Sequence, residues 1–292
     1  MILSPVEQSI KRKIEAIGTP LKDWDIIINY GIKTGANDAF IIDGAKRNEL
    51  ISADPKSAEI IRPILRGRDI KRYGFDFADQ YIIATFPSKN YNIDDYPAVK
   101  EYLLSFGIER LEQSGKQYTI NGEIVKSRKK TNNKWFETQD SISYWDDFSK
   151  QKIVWGNLCL SAQYAWVEDE MYVNAPSPFI TNANKYILAL LNSKVVDWYI
   201  KMLGVSRNGG YYEYKPMFVE MAPIPHPSSN IQLEIETLVD KLLSSKMNKR
   251  DFSSYEKQID EIVFSIYGIS EIEKSFLNHT SKIEDNSSLV NG

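Results

Sequence analysis

The 292-residue chain has one cysteine and two histidines. A lone Cys159 excludes an internal disulfide and any cysteine-based zinc site. It lies in Lys152-Ile-Val-Trp-Gly-Asn-Leu-Cys-Leu160, a run that reads as a buried strand, so an inert core thiol is expected. His226 and His279 have no nucleophile or metal partner near them in sequence and read as surface residues. No leader of basic then apolar residues opens the chain, and no apolar run reaches the length of a membrane span. The expectation is a cytoplasmic protein with no membrane partner. There is no Asn-Pro-Pro-Tyr element and no glycine-rich loop suited to S-adenosylmethionine, both of which an adenine or cytosine-N4 methyltransferase needs. Asp94-Asp95 and Asp146-Asp147 read as turn or cap residues and not as an acid/base couple. The expectation is therefore no catalytic residue, no metal ligands and no cofactor bound by this chain. One alternative stays open: Glu213-Tyr-Lys215 has the Glu-x-Lys form of metal-dependent nucleases, although no Pro-Asp partner precedes it.

What is abundant is aromatic side chain, with 17 Tyr, 12 Phe and 6 Trp, and this excludes a disordered chain. The net charge of −3 excludes a histone-like polycation. It does not exclude DNA binding, because phosphate contacts need a local basic face and not a basic total.

The pattern along the chain predicts α+β: a mixed sheet with peripheral helices, followed by a C-terminal helical pair. Residues 1–20 read as an N-terminal linker helix. Ser4-Pro5-Val6-Glu7 supplies its cap, Val6, Ile10, Ile14 and Ile17 its apolar stripe, and Gly18 its stop. Residues 21–227 form the main domain. Strands are expected at 25–30, 39–43, 80–86, 152–155 and 164–167, with helices over 95–106 and 185–203. Beyond the proline-rich hinge Pro223-Ile-Pro-His-Pro227, residues 228–280 read as two helices forming a spacer or docking segment. Ser253 with Glu256 reads as the capping box of the second, and Ser270 with Glu273 opens a last short helix. Residues 281–292 read as a disordered tail.

Three stretches concentrate polar chemistry. In Tyr30-Gly-Ile-Lys-Thr-Gly-Ala-Asn37, Gly31 and Gly35 bracket Lys33 and Thr34. The spacing is not that of a nucleotide-binding loop, which runs into a helix, whereas a strand is expected here. The backbone can still grip a nucleic-acid phosphate, or the segment is a plain glycine hairpin. In 62–73, Arg62, Arg66, Arg68, Lys71 and Arg72 stand against a single acid, Asp69. In 126–135, Lys126, Arg128, Lys129, Lys130 and Lys134 stand against none. Arginine and asparagine read base edges and lysine serves the backbone, although charge runs are also simply solvated surface. A further loop, Ser206-Arg-Asn-Gly-Gly-Tyr211, offers Arg207, Asn208 and tyrosines for stacking.

Gly31-Ile-Lys-Thr-Gly35 running into Asn37-Asp-Ala-Phe40, then the 61–73 stretch, together resemble the TaqI-like C-terminal specificity domain. That domain is the target-recognition part of type IIG restriction–modification polypeptides and is related in role to type I specificity subunits. The likeness continues through Lys134-Trp-Phe-Glu137, Phe148–Val154, Tyr186–Ser193, Ala222-Pro-Ile-Pro225 and Ile259–Gly268, and so spans about Leu21 to Asn278. It implies a double-stranded DNA recognition module that works with a methyltransferase/nuclease polypeptide, the adenine-specific methyltransferase and the endonuclease lying elsewhere. S-adenosylmethionine and Mg²⁺ are then expected on that partner. The chain is expected to be either an excised fragment or a stand-alone specificity protein. Residues implied at the DNA are Lys33, Thr34, Asn37, Arg66, Arg68, Lys71, Arg72, Arg128, Lys129, Lys130, Arg207 and Asn208. A non-DNA assembly module whose basic loops meet an acidic protein is the remaining alternative.

Overall fold

The computed structural model describes residues 3–289, with side chains from Leu3 to Thr280. Ser4 caps the helix Pro5–Ile17 as its spacing predicts: the Ser4 hydroxyl accepts from the Glu7 N–H, and the Glu7 carboxylate accepts from the Ser4 N–H at 2.7 Å. Ile10 and Ile14 are fully buried, and the Gly18 N–H closes the helix on the Ile14 carbonyl.

Two four-stranded sheets organise the body. The first is antiparallel throughout, in the order Tyr164–Val167, Lys152–Trp155, Pro178–Thr181, Ile27–Tyr30. The second runs Tyr172–Val173, Ile61–Leu65, Gln80–Ile83, Ile41–Asp43, and its first pair is parallel, which makes it mixed. The β-branched and aromatic runs at 152–155 and 164–167 are strands over the expected residues. Pro178–Thr181, buried at every position, was not distinguished as a strand by sequence because it shows no alternation. A parallel bridge between Ile32 and Asn174 joins the two sheets, with the Ile32 N–H donating to the Val173 carbonyl at 2.7 Å. Between the sheets Phe148 stacks on Tyr172 at 4.7 Å and tilts against Phe179 at 4.9 Å.

Several local expectations change. The segment after Gly35 does not enter a strand directly: Asn37–Phe40 is one helical turn, and the strand is confined to Ile41–Asp43. The helix expected over 185–203 is two, Lys185–Asn192 and Lys194–Leu203. Ser193 adopts extended backbone between them and caps the second through the Val196 N–H. Asn192 is thereby freed to bind both backbone groups of Tyr164, at 3.1 and 2.9 Å. The helix Ser253–Ile266 is not capped by Ser253 with Glu256. Asp251 captures the Ser253 N–H instead, and Glu256 turns to Arg72.

The helices Ser229–Met247, Ser253–Ile266 and Glu271–Leu289 follow: the expected pair, and a last helix that is long where a short one was expected. The last helix occupies most of the stretch expected to be disordered, and 290–292 lie outside the described residues. Ser270 and Glu273 do form the predicted reciprocal pair. The proline-rich segment is not a free hinge. Pro223–Ile224 pairs with Thr19–Pro20, and the carbonyls of Pro223 and Pro225 accept from the buried Tyr267 and Tyr186 hydroxyls at 2.6 and 2.8 Å. One apolar core runs from Ile10 and Ile14 through 186–200 to Ile235, Val239, Ile259, Val263 and Leu277, so the C-terminal helices share the core of the first sheet. Cys159 is buried against this core, where burial pushes its thiol up to about 12. His226 and His279 are exposed, and His226 stacks on Trp24 at 4.3 Å.

Candidate nucleic-acid interface

The loop Lys33–Asn37 emerges where the two sheets join. Gly31 lies so close to the neighbouring chain that a Cβ there would stand 2.6 Å from the Asn174 carbonyl carbon and from the Ser177 oxygen. Gly35 has φ +77°, a conformation that favours glycine. Thr34 is fully buried: its hydroxyl donates to Asn37 Oδ1 at 2.7 Å and accepts from the Ala36 N–H at 3.1 Å. Thr34 therefore shapes the loop and does not reach outward. Lys33 and Asn37 are exposed on its outer side.

Arg128 is the largest departure from expectation. It is buried, and its guanidinium donates to the carbonyls of Leu111, Thr34, Trp135 and Glu137 at 2.7, 2.7, 2.7 and 2.8 Å. Burial lowers its pKa to about 10, with Glu137 opposing the shift. Five fixed donors let one guanidinium serve four carbonyls from three chain segments. Arg128 thus holds the Lys33–Gly35 loop from beneath, while Lys129 and Lys130 beside it are exposed.

The basic stretch 62–72 divides in the same way. Arg66 forms a bidentate pair with the buried Asp69, both contacts at 2.9 Å, and that carboxylate also accepts from the Arg66 N–H. Arg62 pairs with Glu170 at 3.2 Å, and Arg72 with Glu256 of the helix Ser253–Ile266 at 2.5 Å. Arg68 and Lys71 point out, and the Lys71 ammonium donates to the Arg68 carbonyl at 2.8 Å. Of the five cations, three are committed to carboxylates within the fold.

Of the outward residues, Lys33 and Asn37 face the segment 174–177. The Asn174 N–H donates to the Leu65 carbonyl at 2.8 Å, and the Gly31 N–H donates to Ser177 at 2.9 Å. A Cβ on Gly67 would lie 3.1 Å from the Ser177 hydroxyl, which places Arg68 next to the same segment. A cleft of about 350 Å³ is lined by Lys33, Gly35, Asn37, Asn174, Ala175 and Pro176. Sequence reasoning missed the Asn174–Pro176 wall, because Asn-Ala-Pro-Ser reads as an ordinary turn.

The loop 206–211 lies beside the strand pair Leu158–Cys159 and Tyr212–Glu213. Asn208 is exposed, but Arg207 is paired with Glu213, whose other oxygen binds Lys215 at 2.7 Å. Lys215 and Arg207 hold the Glu213 carboxyl below its usual range. Both oxygens of the Glu-x-Lys glutamate are thus engaged by cations. Among the described residues no group of three or more His, Cys, Asp and Glu is arranged to hold a metal ion. No helix there is long and apolar enough to cross a membrane.

Comparison with known proteins gives this geometry a family. The chain is 23% identical over 254 residues to a type II methyltransferase, M.BstVI, of Geobacillus stearothermophilus, covering 84% of this chain and 40% of that protein. Among solved structures it resembles the type IIL restriction–modification enzyme MmeI, determined in complex with DNA, with a TM-score of 0.63 and 14% identity over 91% of this chain and 36% of MmeI. It also resembles the type IIG restriction endonuclease BpuSI, with a TM-score of 0.50 and 13% identity over 90% of this chain and 33% of that one. The chain thus spans well under half the length of each of these relatives. Residues 62–224, which contain the second basic stretch, Arg128 and the cleft wall, match the TaqI-like C-terminal specificity domain, and the chain belongs to that family.

Proposed function

We propose that this chain recognises a double-stranded DNA sequence for a restriction–modification system and delivers a methyltransferase/endonuclease polypeptide to it. The observation that carries the reading is the cleft that Lys33 and Asn37 line together, within a chain of the specificity family. Lys33 and Asn37 are exposed, as is Arg68, whereas Arg62, Arg66 and Arg72 are committed to carboxylates inside the fold. Lys33, Asn37, Arg68, Lys71, Lys129, Lys130 and Asn208 meet the DNA. Arg66, Arg72, Arg128, Arg207 and Thr34 act one step back, by holding the loops that present them. The methyl donor and Mg²⁺ belong to the catalytic polypeptide, and this chain contributes no reacting group.

A binding selection on the purified chain with randomised duplex DNA at two salt concentrations tests this. The expected outcome is an enriched motif whose affinity falls with salt, as counterion release requires. A chain that enriches no sequence would remove the reading.

A further inference from the structure

The cleft contains one side chain whose chemistry differs from its neighbours. Asn174 is 8% exposed, and its side-chain oxygen is buried without a hydrogen-bond partner. Its backbone is fixed at both ends, the N–H donating to Leu65 and the carbonyl accepting from Ser177 at 3.1 Å. Among the described residues nothing pins its carboxamide. Beside it the Ser177 hydroxyl is also buried and unpaired. Buried polar groups in folded proteins are nearly always satisfied, so an unpaired carboxamide lining an open cleft marks a partner that arrives from outside.

The other polar side chains of the cleft narrow what that partner is. Lys33 only donates. Asn37 has its oxygen occupied by the Thr34 hydroxyl, which leaves its NH₂ group as the free end. Both suit a phosphate, which offers acceptors alone. A phosphate cannot satisfy the Asn174 oxygen, which needs a donor. Turning the side chain outward about its Cα–Cβ bond breaks no hydrogen bond and would present both ends of that carboxamide to the cleft. A partner with a donor and an acceptor side by side satisfies both ends at once, and in the DNA major groove this is the N6 amino group and N7 of adenine.

We propose that Asn174 is a base-reading residue for an adenine of the target duplex, while Lys33 and Asn37 donate to a neighbouring phosphate. This rests on the DNA-recognition reading above and adds the residue that distinguishes one base from another. Asn174 sets sequence preference; Lys33 sets affinity without preference.

The test uses the full chain and duplexes carrying its selected motif. For the unaltered protein, replacing one adenine by 7-deaza-adenine or by purine, which lacks the amino group, weakens binding about tenfold. Asn174→Ala abolishes the preference at that position together with its sensitivity to both analogues, and leaves the rest of the motif intact. Asn174→Asp, which only accepts, moves the preference there toward cytosine. Lys33→Ala lowers affinity evenly across sequences and reduces the slope of log affinity against log salt by about 1. A motif without adenine, indifference of the unaltered protein to both analogues, or an Asn174→Ala variant with unchanged preference overturns the proposal while leaving DNA recognition standing. No enrichment by the unaltered chain removes that reading and this one together. The analogue experiment needs no variant to fold.

Discussion

The two basic runs, 62–72 and 126–134, look alike in composition and do opposite things with their arginines and lysines. In the first, Arg62, Arg66 and Arg72 each find a carboxylate, and Arg72 crosses to a C-terminal helix to do so. In the second there is no acid within the run, and the one arginine turns inward onto four carbonyls while Lys126, Lys129, Lys130 and Lys134 stay exposed. The planar guanidinium, with five donors, satisfies several acceptors within the fold, and lysine is a compact charge that favours water. A cluster of positive charge in sequence therefore overstates the surface available to DNA by the arginines that the fold consumes.

Four measurements break or sharpen this contrast. Arg128→Ala strips four carbonyls of their donor and should cost about 3 kcal/mol or more in urea unfolding. Lys129→Ala with Lys130→Ala should stay within about 0.5 kcal/mol of the unaltered chain. Equal effects of the two changes would end the distinction.

Lys152 extends the inward class. It is fully buried on the carbonyls of Phe148, Lys150 and Asp169 at 2.8, 2.9 and 3.1 Å. Burial lowers its pKa from 10.5 to about 8, against the pull of Asp169 and Glu170. Between these values the unfolded chain binds more protons than the folded one, so this group's contribution to stability rises with pH across that window. The gain is on the order of 3 kcal/mol. It should appear as the difference between pH titrations of unfolding for the unaltered chain and Lys152→Met, and a difference that stays flat from pH 8 to 10.5 would place Lys152 in contact with water.

Arg72→Ala should be milder, about 1 kcal/mol, because the pair with Glu256 is partly exposed. Glu256→Gln should give a similar loss by thermal unfolding, and no change in either would make the crossing contact incidental. The smallest stability effect, a few tenths of a kcal/mol, is expected for Arg68→Ala. Its signature lies in DNA binding, where the salt slope falls by about 1. Arg66→Ala should leave that slope alone while loosening the Asp69 turn, and the reverse result would exchange the two roles.

Much of the fold was legible wherever a local rule had no competitor. The Ser4–Glu7 cap, the strands 152–155 and 164–167 and the apolar stripes of the C-terminal helices are decided by residues within a turn or two of one another. The break at Ser193 was not legible, because the apolar positions on either side continue a single helical period. The break lies at Ser193, whose extended backbone and hydroxyl cap start a second helix, and beside it Asn192 reaches to Tyr164, 28 residues away. The Ser253 cap failed to a competitor two residues upstream, Asp251. At the cleft, the two loop glycines gave Lys33 and Asn37 away, whereas Asn174 comes from the far side of the sheet junction and has no local signature. The inward turn of Arg128 depends on four carbonyls gathered from 34–137, an arrangement that exists only after folding.

The first and last helices lie side by side. Lys13 donates to the Gly268 carbonyl at 2.8 Å and to Glu273 at 2.6 Å, and although burial alone would raise that carboxyl, Lys13, Ser270 and Ser9 hold it at about 2. The first helix is consequently clasped to the start of the last one by a charged contact, so the opening segment and the C-terminal helices are fastened into one piece. An insertion at the exposed Asn121-Gly122 hairpin tip, far along the chain from that clasp, should leave both it and the sheets undisturbed.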